Sequence, residues 1–184
     1  MTSVPVKRYK HDLSAFAITR RRFIPADELA RPPANAPEVV ICGIAQALAF
    51  TVDTDKAYYK IEIPDDWYPN TDIELAVFWT RSSTGDNDSG KAVKWQITYL
   101  LFSELENCNA SGTVLSVEDT YDSASTTDQI VYKTDVLTVP ASSLSQNDIL
   151  TLELMAVTPT GTALSEPACV GLEFGHTAYQ IPPR

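Results

Sequence analysis

The sequence predicts an all-β domain, an antiparallel two-sheet β-sandwich, with an extended N-terminal arm. Three observations lead there. Downstream of Pro37, apolar and polar residues alternate at period two over short runs. Those runs are separated by clusters of Asp, Asn, Ser, Thr and Gly, the residues that favour turns. No amphipathic pattern of helical period is sustained long enough to make a full helix. At 184 residues the chain suits one hydrophobic core plus an extension.

The arm is read as residues 1–36. It holds Lys7, Arg8, Lys10, Arg20, Arg21, Arg22 and Arg31 against Asp12, Asp27 and Glu28, whereas the whole chain has a formal charge of -10. The stretch Pro25–Ala30 suits one or two helical turns, with proline first and acids at the positive end of the helix dipole. Pro32, Pro33 and Pro37 then favour an extended linker. Fully extended, such an arm would span about 120 Å. The body follows as residues 37–184.

Within the body the run Val39–Val52 is too short and too interrupted, by Gly43 and Gln46, to cross a bilayer. Tyr59, Ile61 and Ile63 alternate with Tyr58, Lys60 and Glu62 until Pro64 ends the strand. Ile73, Leu75, Val77 and Trp79 share a face, and Phe78 on the other face marks a contact surface. In the clearest strand, Val93, Trp95, Ile97 and Tyr99 oppose Lys94, Gln96 and Thr98. Between these two strands Thr84–Gly90 reads as a hairpin loop. Further strands are expected at 113–118, 129–139, 148–157 and 168–179, for seven or eight in all. Two sheets packed face to face bury so many one-sided strands.

Candidate chemistry is sparse. His11 and His176 are the only histidines, neither has a partner in sequence, and no nucleophile motif is present. Glu62, Glu74, Glu153 and Glu173 fall on polar strand faces, so a glycosidase-type carboxylate pair is not singled out. Asp86-Asn87-Asp88-Ser89-Gly90 fails as an EF-hand loop, because glycine comes fifth and Ile97 stands where glutamate is needed. Cys42, Cys108 and Cys169 form neither a disulfide framework nor a zinc motif and read as plain thiols. Trp79, Trp95 and Tyr99 belong to apolar rows, which leaves Trp67 and Tyr68 as an exposed aromatic pair suited to a glycan. The expectation is a protein without catalysis, cofactor or metal. The acidic body repels nucleic acid and anionic membranes, and cations without an apolar segment behind them argue for a chain made in a cytoplasm.

Three stretches carry a family resemblance: Tyr58-Tyr59-Lys60-Ile61-Glu62-Ile63-Pro64-Asp65-Asp66-Trp67, Thr71–Thr80, and Val93-Lys94-Trp95-Gln96-Ile97-Thr98-Tyr99. With Asn147–Leu154 and Gly171-Leu172-Glu173-Phe174, the chain resembles a β-sandwich virion domain of tailed bacteriophages over about residues 45–180. The resemblance implies a jelly-roll-like domain that forms a homotrimer and serves as head cement, decoration or fibre protein, without catalytic residues. It departs at Ala156-Val157-Thr158-Pro159, where the family carries an Arg-Asp pair. The expected role is a trimeric capsid cement protein on the virion surface, assembled in the host cytoplasm. Its partners would be the major capsid protein and neighbouring copies of itself. The arm would supply the contacts: Arg8, Arg20, Arg21 and Arg22 for carboxylates, and Leu13, Phe16, Ile18, Phe23 and Ile24 as apolar anchors. The alternatives are a head- or tail-fibre adaptor and a carbohydrate-binding module using Trp67 and Tyr68.

Overall fold

The computed structural model describes residues 17–103, 106 and 110–179. These residues form two antiparallel sheets packed face to face, the sandwich that the alternation predicts. The strands are β1 (Ala17–Pro25), β2 (Glu38–Cys42), β3 (Ala45–Ala49), β4 (Lys56–Glu62), β5 (Ile73–Arg81), β6 (Lys91–Phe102), β7 (Thr113–Tyr121), β8 (Tyr132–Lys133), β9 (Leu137–Val139), β10 (Ile149–Val157) and β11 (Pro167–Tyr179). The smaller sheet runs β4-β10-β6-β7. The larger runs β2-β3-β11-β5-β8, with β1 also paired to β11 and β9 to β5.

Register follows the sequence periodicity. Leu150, Leu152, Leu154 and Ala156 of β10 stand opposite Leu101, Tyr99, Ile97 and Trp95 of β6, so both rows face inward together. Ile73, Leu75, Val77 and Trp79 meet them from the larger sheet, and all are buried. A bulge at Val170 resets β11 so that Cys169 and Leu172 both remain in the core. Trp95 meets Phe50 edge-on at 5.4 Å, and Trp79 stacks on Tyr132 at 5.2 Å.

The structure corrects the arm. Residues 17–25, expected to reach outward, form β1 and pair along its whole length with Gly171–Tyr179 of the same chain. The helical turn expected after Pro25 is a single 3-10 turn at Ala26–Glu28. Ile24, Ala26 and Leu29 enter the core. The expected linker is also attached: Ala30 and Tyr58 exchange backbone hydrogen bonds, and Lys56 N–H donates to the Asn35 carbonyl. The physical reason is the open edge of β11, whose backbone groups need partners that β1 supplies. The described part of the sandwich therefore begins at residue 17, and the boundary at 36/37 is not structural.

Two further regions differ from expectation. The run Val39–Val52 contains the hairpin β2–β3, turned at Gly43 with φ of 67°, where a glycine is favoured. The single strand expected over 129–139 divides into the short β8 and β9, both on β5. No helix of the described residues is long and apolar enough to cross a membrane.

Candidate interaction surfaces

The three consecutive arginines of β1 sit on alternating faces, and each meets an acid of its own chain. Arg20 pairs with Asp66 at 2.9 Å, and Arg22 with Glu28 at 3.3 Å. Arg21 bridges Glu74, at 2.9 Å, and Glu173 on the outer face of the larger sheet. Lys133 joins the same carboxylate of Glu173 at 2.8 Å and lies 5.6 Å from the ring centre of Phe78. Phe23 packs edge-on against Phe78 at 5.3 Å, so the aromatic surface expected of Phe78 is covered by the chain's own β1.

Of the residues assigned to partner contact, Arg20, Arg21, Arg22 and Ile24 thus hold β1 on the sandwich. Ile18 and Phe23 keep part of their surface exposed, and Arg8, Leu13 and Phe16 lie outside the described residues. Gly171 shows how close β1 lies. A Cβ there would stand 2.6 Å from the carbonyl oxygen of Ile24.

Burial pushes the Glu173 carboxyl up, but hydrogen bonds and charge from Lys133 and Arg21 outweigh it and hold the carboxyl below its ordinary value. A carboxyl lowered in the folded state contributes stability above its unfolded value, lost as pH falls through the folded one. Glu173→Gln is therefore expected to lower stability by about 1 kcal/mol at neutral pH, given the partly exposed partners. The gap from the parent should close as pH drops from near 4.5 through the depressed value. Thermal melts across that range check it, and a gap independent of pH would contradict it.

The remaining candidates resolve into structure. Trp67, expected to be exposed, is 4% exposed, and its indole N–H donates to the Thr71 carbonyl at 3.0 Å. Tyr68 packs against Tyr179 at 4.7 Å. The aromatic pair drawn for a glycan is therefore split between core and surface. In the Thr84–Gly90 loop both Asp88 carboxylate oxygens face cations, Lys91 at 2.7 Å and Arg81 at 3.5 Å. No group of three potential metal ligands occurs among the described residues. Glu153 binds Lys56 and the Tyr58 hydroxyl, each at 3.0 Å. Cys169 is buried, which pushes its thiol up to about 12, and Cys42 is half-buried; Cys108 lies outside the described residues.

Two surface features stand apart from these internal pairings. The first is a groove at the open edge between the sheets, where β1 and β4 border it. Its volume is about 390 Å³, and Arg22, Tyr59, Ile61, Pro64, Phe174 and His176 line it. His176 is 9% exposed; its Nε2 lies 3.0 Å from Asp66, and its Nδ1 has no partner within the described residues. The second is the tip of the β2–β3 hairpin, where Ile41 is 63% exposed and Ile44 is 105% exposed. The Gln129 side-chain amide lies 3.4 Å from the Cys42 sulfur, which sets the tip beside exposed Ile130 and Val131. Neither feature was singled out from the sequence. The apolar run Val39–Ala45 with a central glycine was the available signal for the tip.

No protein-family model matches the chain, and no curated protein matches it. Among solved structures, one chain of infectious bursal disease virus, Gt strain, is 14% identical with a TM-score of 0.38, covering 88% of this chain and 33% of that one. Tailspike protein 4 of bacteriophage CBA120 is 11% identical with a TM-score of 0.34, covering 89% and 19%. A family GH115 4-O-methyl-α-glucuronidase is 13% identical with a TM-score of 0.39, covering 85% and 17%. This chain spans a third or less of the length of each. Likenesses this shallow, spread over a virus, a tailspike and a glucuronidase, say nothing of function.

Proposed function

We propose that the protein is a structural component of a phage virion, a trimeric cement protein that binds the outer capsid surface and stabilises junctions between capsomers, without catalysing a reaction. The observation that carries this reading is the surface. The β1 arginines are satisfied internally, while Ile41, Ile44, Ile130 and Val131 remain exposed around the hairpin tip. Clustered exposed apolar residues on a charged body mark protein contact. The resemblance of Tyr58–Trp67, Thr71–Thr80 and Val93–Tyr99 to phage virion domains supports the setting. With residues 17–36 held on the sandwich, the anchoring contacts proposed here fall to residues 1–16, outside the described residues, which include Lys7, Arg8, Lys10, Leu13 and Phe16. Three such segments on one trimer turn weak single contacts into avid binding.

Copy number in purified particles tests the role, with hundreds per virion expected for cement and tens or fewer for a fibre adaptor. In the same particles, protein lacking residues 1–16 should decorate heads at least about a hundred-fold less well, the lower end of what lost avidity implies. Undiminished decoration would reject anchoring by this segment.

A further inference from the structure

We propose that residues 9–13 fill the groove between β1 and β4 of their own chain, as a strand whose backbone pairs with that of Lys60 and Glu62. The inference goes beyond the proposed function and concerns the protein before it meets a head, which would have to lift the segment away to use it.

The groove exists because a covering stretch of chain stops short. β4 is an edge strand of the smaller sheet. Ile63 N–H donates to the Asp148 carbonyl at 2.8 Å, so the odd-numbered residues of β4 give their backbone groups to β10 and the even-numbered ones turn theirs outward. On that outer edge Lys56 N–H donates to the Asn35 carbonyl at 2.8 Å, and Tyr58 exchanges hydrogen bonds with Ala30 at 2.8 and 2.9 Å. Upstream of Ala30 the 3-10 turn at Ala26–Glu28 takes the chain away to Ile24 in the core, so this cover ends at Tyr58. The outward groups of Lys60 and Glu62 have no backbone partner among the described residues. An open edge of this kind accepts an added strand. Beside it the groove offers Tyr59, Ile61 and Pro64 as walls and buried Phe174 as floor, and a second hollow of about 310 Å³ at Ala30 and Tyr58 continues it.

Charge does not choose the occupant, since Glu62 lines the groove together with Lys60 and Arg22 is already held by Glu28. A strand needs no charge, because it binds through its own amide groups and alternate apolar side chains. Chain length and position supply the strand. Ala17, where the described chain begins, stands opposite Tyr179, three residues beyond Arg20, which stands opposite His176 of the groove. That is about 10 Å of strand. Sixteen residues precede Ala17, and a reversal over Ser14–Phe16 has ordinary hairpin-loop length. Before it, Tyr9, His11 and Leu13 share one side and Lys10 and Asp12 the other, the period of a strand with one sheltered face. With Tyr9 and Leu13 turned to Ile61 and Phe174, Lys10 and Asp12 face water. Tethering adds an effective concentration on the order of millimolar, so a contact too weak between molecules holds within one.

The test is amide hydrogen exchange, read residue by residue on the full-length parent and on a full-length variant carrying Tyr9→Asp with Leu13→Asp. Neither substitution touches a contact described for the sandwich. In the parent the Lys60 and Glu62 amides should exchange at least about ten-fold more slowly than in the variant, the protection of a locally opening strand. The Tyr58 amide, already paired with Ala30, should exchange alike in both. Isotope-labelled variant mixed with unlabelled parent should keep its Lys60 and Glu62 amides fast. Fast exchange of these two amides in the parent, or equal protection in parent and variant, would overturn the proposal. Slowing of the labelled variant in the mixture would overturn it too, by placing a second copy's segment in the groove. Head decoration enters none of these readouts, so this contact and the capsid role fail separately.

Discussion

Protein lacking residues 1–36 is expected to lose cooperative folding, whereas protein lacking residues 1–16, which keeps every contact described for β1, should still unfold in a cooperative transition. The longer deletion removes Ile24 and Leu29 from the core, each worth about 1.5–3 kcal/mol of burial. It also strips β11 of its partner from Gly171 to Tyr179, leaving an open edge beside buried Leu172 and Phe174. The ion pairs of Arg20 and Arg21 go with it, as do the backbone bonds from Ala30 and Asn35 that cover β4. Taken together these losses rival the whole stability of a typical domain, about 5–15 kcal/mol. The shorter deletion touches none of these contacts. Circular dichroism melts of the two proteins decide the matter. A cooperative transition near the parent's in the longer deletion would mean that β1 contributes little to the fold.

That contrast also marks how far the sequence could be read. Strands such as Val93–Tyr99 and Ile73–Thr80 were legible because one face is apolar and the other polar, and their registers follow from that alone. β1 was not legible, since Arg20-Arg21-Arg22 reads as a solvated cation cluster until its partners are known. Those partners are distant in sequence: Glu74 lies 53 residues from Arg21, and Glu173 lies 152. Only pairing with β11 brings them together. Trp67 escaped for a similar reason, since its position after Pro64 reads as an exposed loop while a bridge to Ala178 draws it inside. The groove is a gap between strands distant in sequence, which no local pattern can indicate. The hairpin tip does have a local signal, an apolar run interrupted by Gly43.

Replacing Asp88 by alanine is expected to cost about 3 kcal/mol, the second large effect, because it strands a buried cation. Arg81 is 1% exposed, and its Nη1 donates to the Asp86 carbonyl at 2.7 Å and faces Asp88 at 3.5 Å. Its Nε and Nη2 have no partner within the described residues, so the nearby carboxylate and the face of Tyr121, 5.4 Å from the guanidinium, carry its compensation. Without Asp88, Lys91 can turn to water but Arg81 cannot. For a chain of this length the loss lowers the melting temperature by about 6–12 °C. Replacing the arginine as well, as Arg81→Met with Asp88→Ala, should recover a large part of that loss, since an apolar side chain in the same space needs no counter-ion. The comparison separates charge from packing. If the double variant is no more stable than Asp88→Ala, the loop is held by the shape of its turn and not by the buried ion pair.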